Sequence, residues 1–97
     1  MREEKLHGRS CRVCVGLLAS SLHHLVPRSL GGDDTADNLV GLCGTGTTGC
    51  HGRVEARDPW ACSLLGQRLS GPERAYVVGK KGADFLARYF GLKEEAA

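Results

Sequence analysis

Two pairs of cysteines constrain the fold of this chain more than any other feature of its sequence. Cys11 and Cys14 form a CxxC motif, and Cys43 and Cys50 stand on either side of the glycine- and threonine-rich segment 44–49. Four thiolates match the tetrahedral coordination of structural zinc, although the second pair exceeds the usual spacing of about two to four residues. The 97 residues are 41% hydrophobic and 5% aromatic, and domains this lean often depend on a metal or on disulfides. We therefore expect one small zinc-stabilised domain.

Disulfides are the competing use of these cysteines. The count of five is odd, and residues 1–10 contain no apolar stretch typical of a secretion signal, so we expect reduced thiols in an intracellular, cytoplasmic protein. A thioredoxin-like redox role for Cys11 and Cys14 would need the motif to open a helix after a strand, whereas here a strand-like run follows it. Cys62 lies among apolar residues at helical spacing, and we expect it to be a buried free thiol.

The length and the charge exclude several function classes. A chain of 97 residues is too short for a two-domain enzyme, a TIM barrel or a Rossmann enzyme. Thirteen Lys and Arg against eleven Asp and Glu leave a net charge of +2, too little for a basic tail that coats nucleic acid. An acidic middle between basic flanks suits a cation site beside phosphate-contacting arms, and it equally suits an ordinary surface. No apolar run approaches the ~18–20 residues of a membrane span, so no membrane partner is expected.

Turn-forming residues divide the first part of the chain into short elements. We expect a flexible polar tail over 1–10, an extended segment over 17–25, and a loop over 29–37 that is rich in Gly and Asp. A second short strand should follow over 38–42. The glycine- and threonine-rich segment then leads to a helix over about 50–57.

The last part of the chain favours helices. Asp58 and Pro59 have the residue types of an N-cap and a first helical position. Gly71 and Pro72 predict a further helix through about Val78, which the glycines of 79–82 should interrupt. Residues 83–90 predict an amphipathic helix whose apolar face comprises Phe85, Leu86, Tyr89 and Phe90.

The residue types that carry chemistry lie close to the cysteine pairs. His23 and His24 are adjacent near the end of the first strand, so one could bind a cation while the other accepts a proton. His51 directly follows Cys50, and Glu55 lies one helical turn later on the same face. A carboxylate there can bind a hard cation such as Mg²⁺ or Mn²⁺, or it can be a solvated helix carboxylate.

Residues 11–57 contain, in this order, the motifs CxxC, His-His, Gly-Gly, Asn-Leu, Leu-Cys and Cys-His. This arrangement resembles HNH endonucleases with the ββα-metal fold. Segments 42–44 and 49–52 are especially similar to small stand-alone HNH proteins of bacteriophages and their prophages. The resemblance implies an α+β fold with a zinc-stabilised ββα-metal (HNH) nuclease core over 11–66. The helical pattern of the last third of the chain separately predicts that a C-terminal helical extension over 67–97 packs on this core.

The resemblance further implies a role for each residue of the motif. His23 corresponds to the first metal ligand, His24 to the general base that activates water, and His51 to a second ligand of a catalytic divalent cation. Asn38 corresponds to the central asparagine, which braces the loop and orients the base, unless it is simply a turn residue. Many relatives have histidine where this chain has Glu55, so the status of Glu55 as a ligand stays open. The cation is expected to be Mg²⁺ or Mn²⁺, with Ni²⁺, Co²⁺ and Zn²⁺ as further candidates.

The implied activity is metal-dependent hydrolysis of double-stranded DNA, with weak sequence specificity and with 5′-phosphate and 3′-hydroxyl products. Arg28, Arg53 and Arg57 are candidates for contacts to the DNA backbone, the last two one helical turn apart, and each could equally be a solvated charge. The similarity to phage proteins implies genome packaging beside a terminase, in a bacterial or phage-infected cell, with restriction or recombination as other pathways. The alternative functions are a catalytically silent, zinc-stabilised nucleic-acid-binding module and a redox or disulfide-scaffold protein.

Overall fold

Two short β-strands and four α-helices make up the part of the chain that the computed structural model describes, residues 9–91. Their order is β1 (Ser21–His24), β2 (Leu39–Leu42), α1 (Gly49–Glu55), α2 (Pro59–Gln67), α3 (Gly71–Lys81) and α4 (Ala83–Phe90). Two single-turn 3₁₀ helices, Arg28–Leu30 and Ala36–Asn38, lie in the connection between the strands. The predicted α+β class is thus confirmed. No helix within the described range is long and apolar enough to cross a membrane.

The two strands form an antiparallel pair in which Ser21 lies opposite Leu42 and His24 lies opposite Leu39. All four residues of β2 are buried, because α1 and the second 3₁₀ turn also contact this strand. The strand expected over 38–42 is confirmed except at Asn38, which ends the 3₁₀ turn.

Within the extended segment expected over 17–25, the regular strand β1 covers only Ser21–His24. Before Ser21, Leu18 forms an isolated bridge with Ser10, and the N–H of Ala19 donates to the carbonyl of Arg9 at 2.8 Å. These contacts bring the last two residues of the predicted tail into the fold. The rest of that tail, 1–8, lies outside the described residues.

The helix expected over 50–57 ends earlier, at Glu55. Arg57 adopts a left-handed backbone conformation with φ 63°, and its N–H donates to the carbonyl of Val54 at 3.0 Å. The N–H of Asp58 donates to the carbonyl of Arg53 at 2.9 Å, which completes a Schellman motif. The chain reverses here into the next helix, so the prediction that Arg53 and Arg57 lie one helical turn apart is wrong.

Side-chain caps explain where the later helices begin. The carboxylate of Asp58 accepts from the N–H of Ala61 at 3.0 Å, with Pro59 at the first position of α2, as expected. Ser70 and Glu73 form a reciprocal capping box at the start of α3, which the sequence analysis did not identify.

The helix expected to end near Val78 continues to Lys81, and the break expected within 79–82 falls at the last residue of that segment. A helix tolerates an interior glycine at a cost of about 1 kcal/mol. The helix ends instead at Gly82, whose φ of 93° is a conformation that glycine adopts readily. The helix over 83–90 is confirmed, with Phe90 fully buried at its end.

The core joins the sheet to the C-terminal helices. Its large buried side chains are Val13, Leu25, Val26, Val40, Leu42, Val54, Leu65, Leu69, Val77 and Phe90. An ion pair also links the N-terminal part of the fold to the C-terminal helices. The Arg12 guanidinium donates to both carboxylate oxygens of Glu73, at 2.6 and 3.0 Å. Glu73 is only 2% exposed and the Arg12 side chain is 28% exposed, so a partly buried ion pair attaches the CxxC turn to α3.

Candidate metal centres and the cleft between β1 and α1

The two cysteine pairs converge on one point. The sulfur atoms of Cys11, Cys14, Cys43 and Cys50 all lie within 4.8 Å of one another, and those of Cys14 and Cys43 are 3.9 Å apart. A tetrahedral ion with Zn–S bonds of about 2.3 Å separates its sulfur ligands by ~3.8 Å. The four thiols therefore have the number, the chemistry and the spacing required to hold a structural metal ion such as zinc.

Backbone N–H groups point at two of these sulfur atoms. The N–H groups of Val13 and Cys14 lie 3.4 and 3.5 Å from Cys11 Sγ, and the N–H of Cys50 lies 3.5 Å from Cys43 Sγ. Such contacts stabilise a thiolate and orient it. Each pair is thereby held by a tight turn of its own.

The wide spacing of the second pair results from a turn that needs glycine. Gly44 has a φ of 85°, and a side chain there would lie 2.2 Å from the carbonyl oxygen of Thr48. The close approach of residues 44 and 48 folds the segment back on itself. Cys50 can therefore start α1 beside Cys43, although six residues separate them in sequence.

The cysteine pKa values differ across the cluster. Burial raises the pKa of Cys11, but the N–H groups of Cys14, Cys43 and Val13 outweigh it and lower the pKa to about 6. Burial, and then hydrogen bonding to the thiols of Cys43 and Cys11, raises the pKa of Cys50. Four thiolates at this spacing repel one another, so a cation is needed to hold all of them ionised.

The redox alternative finds no support at the CxxC motif. Cys11 and Cys14 lie in a turn, in which the N–H of Val15 donates to the carbonyl of Cys11 at 2.9 Å, and they open no helix among the described residues. Cys62 is confirmed as a buried free thiol. Burial raises its pKa, and its thiol faces the carbonyl of Val54 at 3.7 Å.

A second cluster of possible ligands lies where β1 meets α1. One ligand atom each of His23, His51 and Glu55 lies within 4.8 Å of the others. Glu55 Oε2 is 3.0 Å from His23 Nδ1 and 3.3 Å from His51 Nε2. Adjacent ligands of an octahedral ion with bonds of about 2.1 Å are ~3.0 Å apart. These three groups could hold a metal ion.

The burial of this triad differs between its members. The two histidines are each 7% exposed, whereas the Glu55 side chain is 49% exposed. Burial lowers the pKa of His23 to about 4, although the Glu55 carboxylate opposes this shift. His23 is therefore neutral at pH 7, which is the protonation state a metal ligand requires.

His24 has a partner that the sequence analysis missed. Its Nε2 lies 2.6 Å from Asp34 Oδ1, in the loop between the strands. Since an ionised carboxylate only accepts, the proton of the neutral ring lies on Nε2 and the lone pair on Nδ1. Arg28 Nη1 is 3.9 Å from the other oxygen of Asp34.

Asn38 is fully buried and joins the two ends of that loop. Its Oδ1 accepts from the N–H of Val26 at 2.7 Å, and its Nδ2 donates to the carbonyls of Val26 and Asp33 at 3.0 and 2.8 Å. A side chain on Gly32 would collide with the carbonyl of Val26, so the loop can close this tightly only with glycine there. Asn38 thus braces the loop that carries Asp34 to His24.

A cleft of about 450 Å³ contains both the triad and His24. Its lining residues are Leu22, His23, His24, Leu25, Pro27, Arg28, Gly46, His51, Glu55, Arg57 and Tyr89. Of the three arginines proposed to contact DNA, the cleft brings together Arg28 and Arg57. Arg57 lies 3.8 Å above the ring of Tyr89 on α4. Arg53 instead lies over Trp60, 5.5 Å from its centroid, and does not line the cleft.

Comparison of the chain with protein-family models, with curated proteins and with solved structures finds no match.

Sequence reasoning missed Ser21, Asp34 and Tyr89 as neighbours of the site. Ser21 could have been found, because it lies two residues before His23 in a strand and so faces the same side. Asp34 and Tyr89 carry no comparable signal, since a loop and a distant helix bring them to the cleft.

Proposed function

We propose that this chain is an HNH-type, metal-dependent endonuclease that hydrolyses phosphodiester bonds in double-stranded DNA. One observation carries the proposal: a two-histidine, one-carboxylate cluster lines the same cleft as His24, which is paired with Asp34. The first arrangement suits a hard divalent cation, and the second suits a general base. The residues of both lie on β1, on the connection between the strands and on α1. This order along the chain is the one that the resemblance to HNH proteins implies.

In this proposal His24 is the general base. Donation from Nε2–H to Asp34 leaves Nδ1 as the basic atom, and Asp34 stabilises the imidazolium that forms when Nδ1 takes a proton from water. A base held in this way contributes about 10²–10⁴-fold to a rate. Asn38 acts indirectly, because it braces the loop that carries Asp34.

His23, His51 and Glu55 hold the divalent cation, which stabilises charge on the phosphate oxygens and on the leaving group when it is bound. The cation is Mg²⁺ or Mn²⁺, because a carboxylate among the ligands favours hard ions. Arg28 and Arg57 provide positive charge at the cleft for the DNA backbone. The stacking of Arg57 on Tyr89 restricts the guanidinium to one wall of the cleft.

The structural zinc at the four cysteines contributes indirectly. Cys50 immediately precedes His51, and Cys43 lies at the end of β2, so a metal there holds the start of α1 against the sheet. Metal-ligand bonds of this kind are part of the folding free energy of small domains. The cleft therefore depends on a second metal that takes no part in the reaction.

A plasmid-nicking assay in Mg²⁺, in Mn²⁺ and in EDTA tests the proposal. We expect cleavage with either cation and none in EDTA. His24→Ala should abolish cleavage but retain Mn²⁺ binding, whereas His23→Ala should lose both. Asp37→Ala, in the same loop but outside the cleft, is the matched control. DNA binding without cleavage under any of these conditions would instead identify a catalytically silent, zinc-stabilised binding module.

A further inference from the structure

Ser21 contacts the ring nitrogen of His51 that lies away from Glu55. Ser21 Oγ lies 2.6 Å from His51 Nδ1 and 2.7 Å from the carbonyl oxygen of Gly44. A serine hydroxyl has one proton and a carbonyl oxygen only accepts, so the hydroxyl donates to Gly44. Its lone pair then accepts from His51, which places the proton of the neutral ring on Nδ1.

The opposite ring nitrogen of His51 therefore carries a lone pair. This atom, Nε2, faces Glu55 Oε2 at a distance of 3.3 Å. Two hydrogen-bond acceptors at that distance repel each other unless a proton or a cation lies between them. His23 Nδ1 lies 3.0 Å from the same carboxylate oxygen. Three atoms able to coordinate a cation, one from each residue, are therefore close together.

From these contacts we infer that Ser21 is a positioning residue of the cation site. It fixes the tautomer and the orientation of His51, so that Nε2 presents its lone pair to a divalent cation shared with His23 and Glu55. The inference rests on the proposed function, which supplies the cation. Metal-bound histidines commonly donate their other ring nitrogen to such a partner, and loss of that partner typically costs about 10–100-fold in metal affinity.

The same serine connects the two metal centres. Gly44 directly follows Cys43, so its carbonyl is held by the turn that carries the cysteine cluster. Two hydrogen bonds join that turn to the cation site: the Ser21 hydroxyl donates to the Gly44 carbonyl, and His51 Nδ1 donates to the Ser21 hydroxyl. The orientation of the His51 ring is thus set by the cysteine turn as well as by α1.

The chain provides a matched control for this inference in the preceding residue. Ser20 Oγ also donates to the carbonyl of Gly44, at 3.0 Å, and accepts from the N–H of Gly44 at 2.8 Å. Within the described part of the chain, however, it makes no hydrogen bond to His51. Ser20→Ala therefore removes contacts to Gly44 alone, whereas Ser21→Ala removes a contact to Gly44 and the contact to His51.

The experiment is a titration of the zinc-loaded full chain with Mn²⁺, in which the free ion is followed by electron paramagnetic resonance. Ser21→Ala should weaken Mn²⁺ binding about 10–100-fold. Ser20→Ala should leave it within about two-fold, and Ser21→Thr, which keeps the hydroxyl, should bind as the wild type does. Zinc content and melting temperature, measured on each variant, identify loss of folding.

A metal-free measurement tests the same inference if Ser21→Ala does not fold. Two-dimensional ¹H–¹⁵N spectra of the wild-type histidine rings should find the proton of His51 on Nδ1. A proton on Nε2 would overturn the inference, as would an unchanged Mn²⁺ affinity in a folded Ser21→Ala variant. Failure of the wild type to bind Mn²⁺ would instead contradict the proposed function, and the ring tautomer would still decide the role of Ser21.

Discussion

Asn38→Ala should destabilise the fold more than truncation of any other polar side chain in the connection between the strands. The asparagine makes three hydrogen bonds to the backbone of Val26 and Asp33, and both Asn38 and Val26 are 0% exposed. Three bonds at about 1 kcal/mol each give a loss of about 3 kcal/mol. The N–H and the carbonyl of Val26 would be left unpaired in a buried place, which keeps the expected loss in the range of about 2–4 kcal/mol.

Urea unfolding of the zinc-loaded protein, at a constant concentration of free zinc, measures this loss directly. For a domain of this size, 3 kcal/mol corresponds to a fall in melting temperature of about 12–24 °C. Asn38→Asp should be at least as damaging, since it sets a carboxylate oxygen against two carbonyl groups. Asp37→Ala, exposed in the same 3₁₀ turn, should change stability by less than about 0.5 kcal/mol. A loss below about 1 kcal/mol in Asn38→Ala would refute the reasoning.

Three other outcomes are expected. Cys43→Ser should lose the structural zinc and the cooperative unfolding transition, whereas Cys62→Ser should retain one zinc per chain; metal analysis of protein purified under reducing conditions checks both. Glu55→Gln should raise the Mn²⁺ concentration for half-maximal cleavage by roughly ten-fold or more, because a charged ligand is lost, and unchanged metal dependence would make Glu55 a bystander. Hydrogen bonds from the Tyr76 hydroxyl and then from the Lys80 ammonium lower the pKa of Asp33 below 3.8. The ionised Asp33 therefore stabilises the fold at neutral pH, and this stabilisation is lost as the pH falls through the lowered pKa. Tyr76→Phe should move the Asp33 titration, followed by NMR, back toward 3.8.

The local elements of this fold were largely predictable because short-range chemistry determines them. Asp58 and Pro59 start a helix wherever the following chain is free to coil, since a carboxylate can accept from an N–H three residues later. The turn after Cys43 likewise requires a residue that tolerates positive φ, and glycine occurs there. The end of α3 was predicted a few residues early, because Gly79 weakens a helix without ending it.

The meeting of residues distant in sequence depended on the tertiary structure. The spacing of Cys11, Cys14, Cys43 and Cys50 indicated one metal site, since only a few arrangements bring four thiolates together. Nothing local, however, directs Asp34 to His24, because a loop closed by buried hydrogen bonds of Asn38 sets that distance.

The arginines illustrate the same limit. A helix period alone would place Arg53 and Arg57 on one face, but the chain reverses after Glu55 and separates them. One guanidinium then stacks on Tyr89, in a helix more than thirty residues away, and the other on Trp60. The sequence by itself determined which residue types could hold a metal and where each short element begins. The packing of α4 and the closure of the loop decided which of these residues share a cleft, because such contacts are made between segments that have no local means of finding each other.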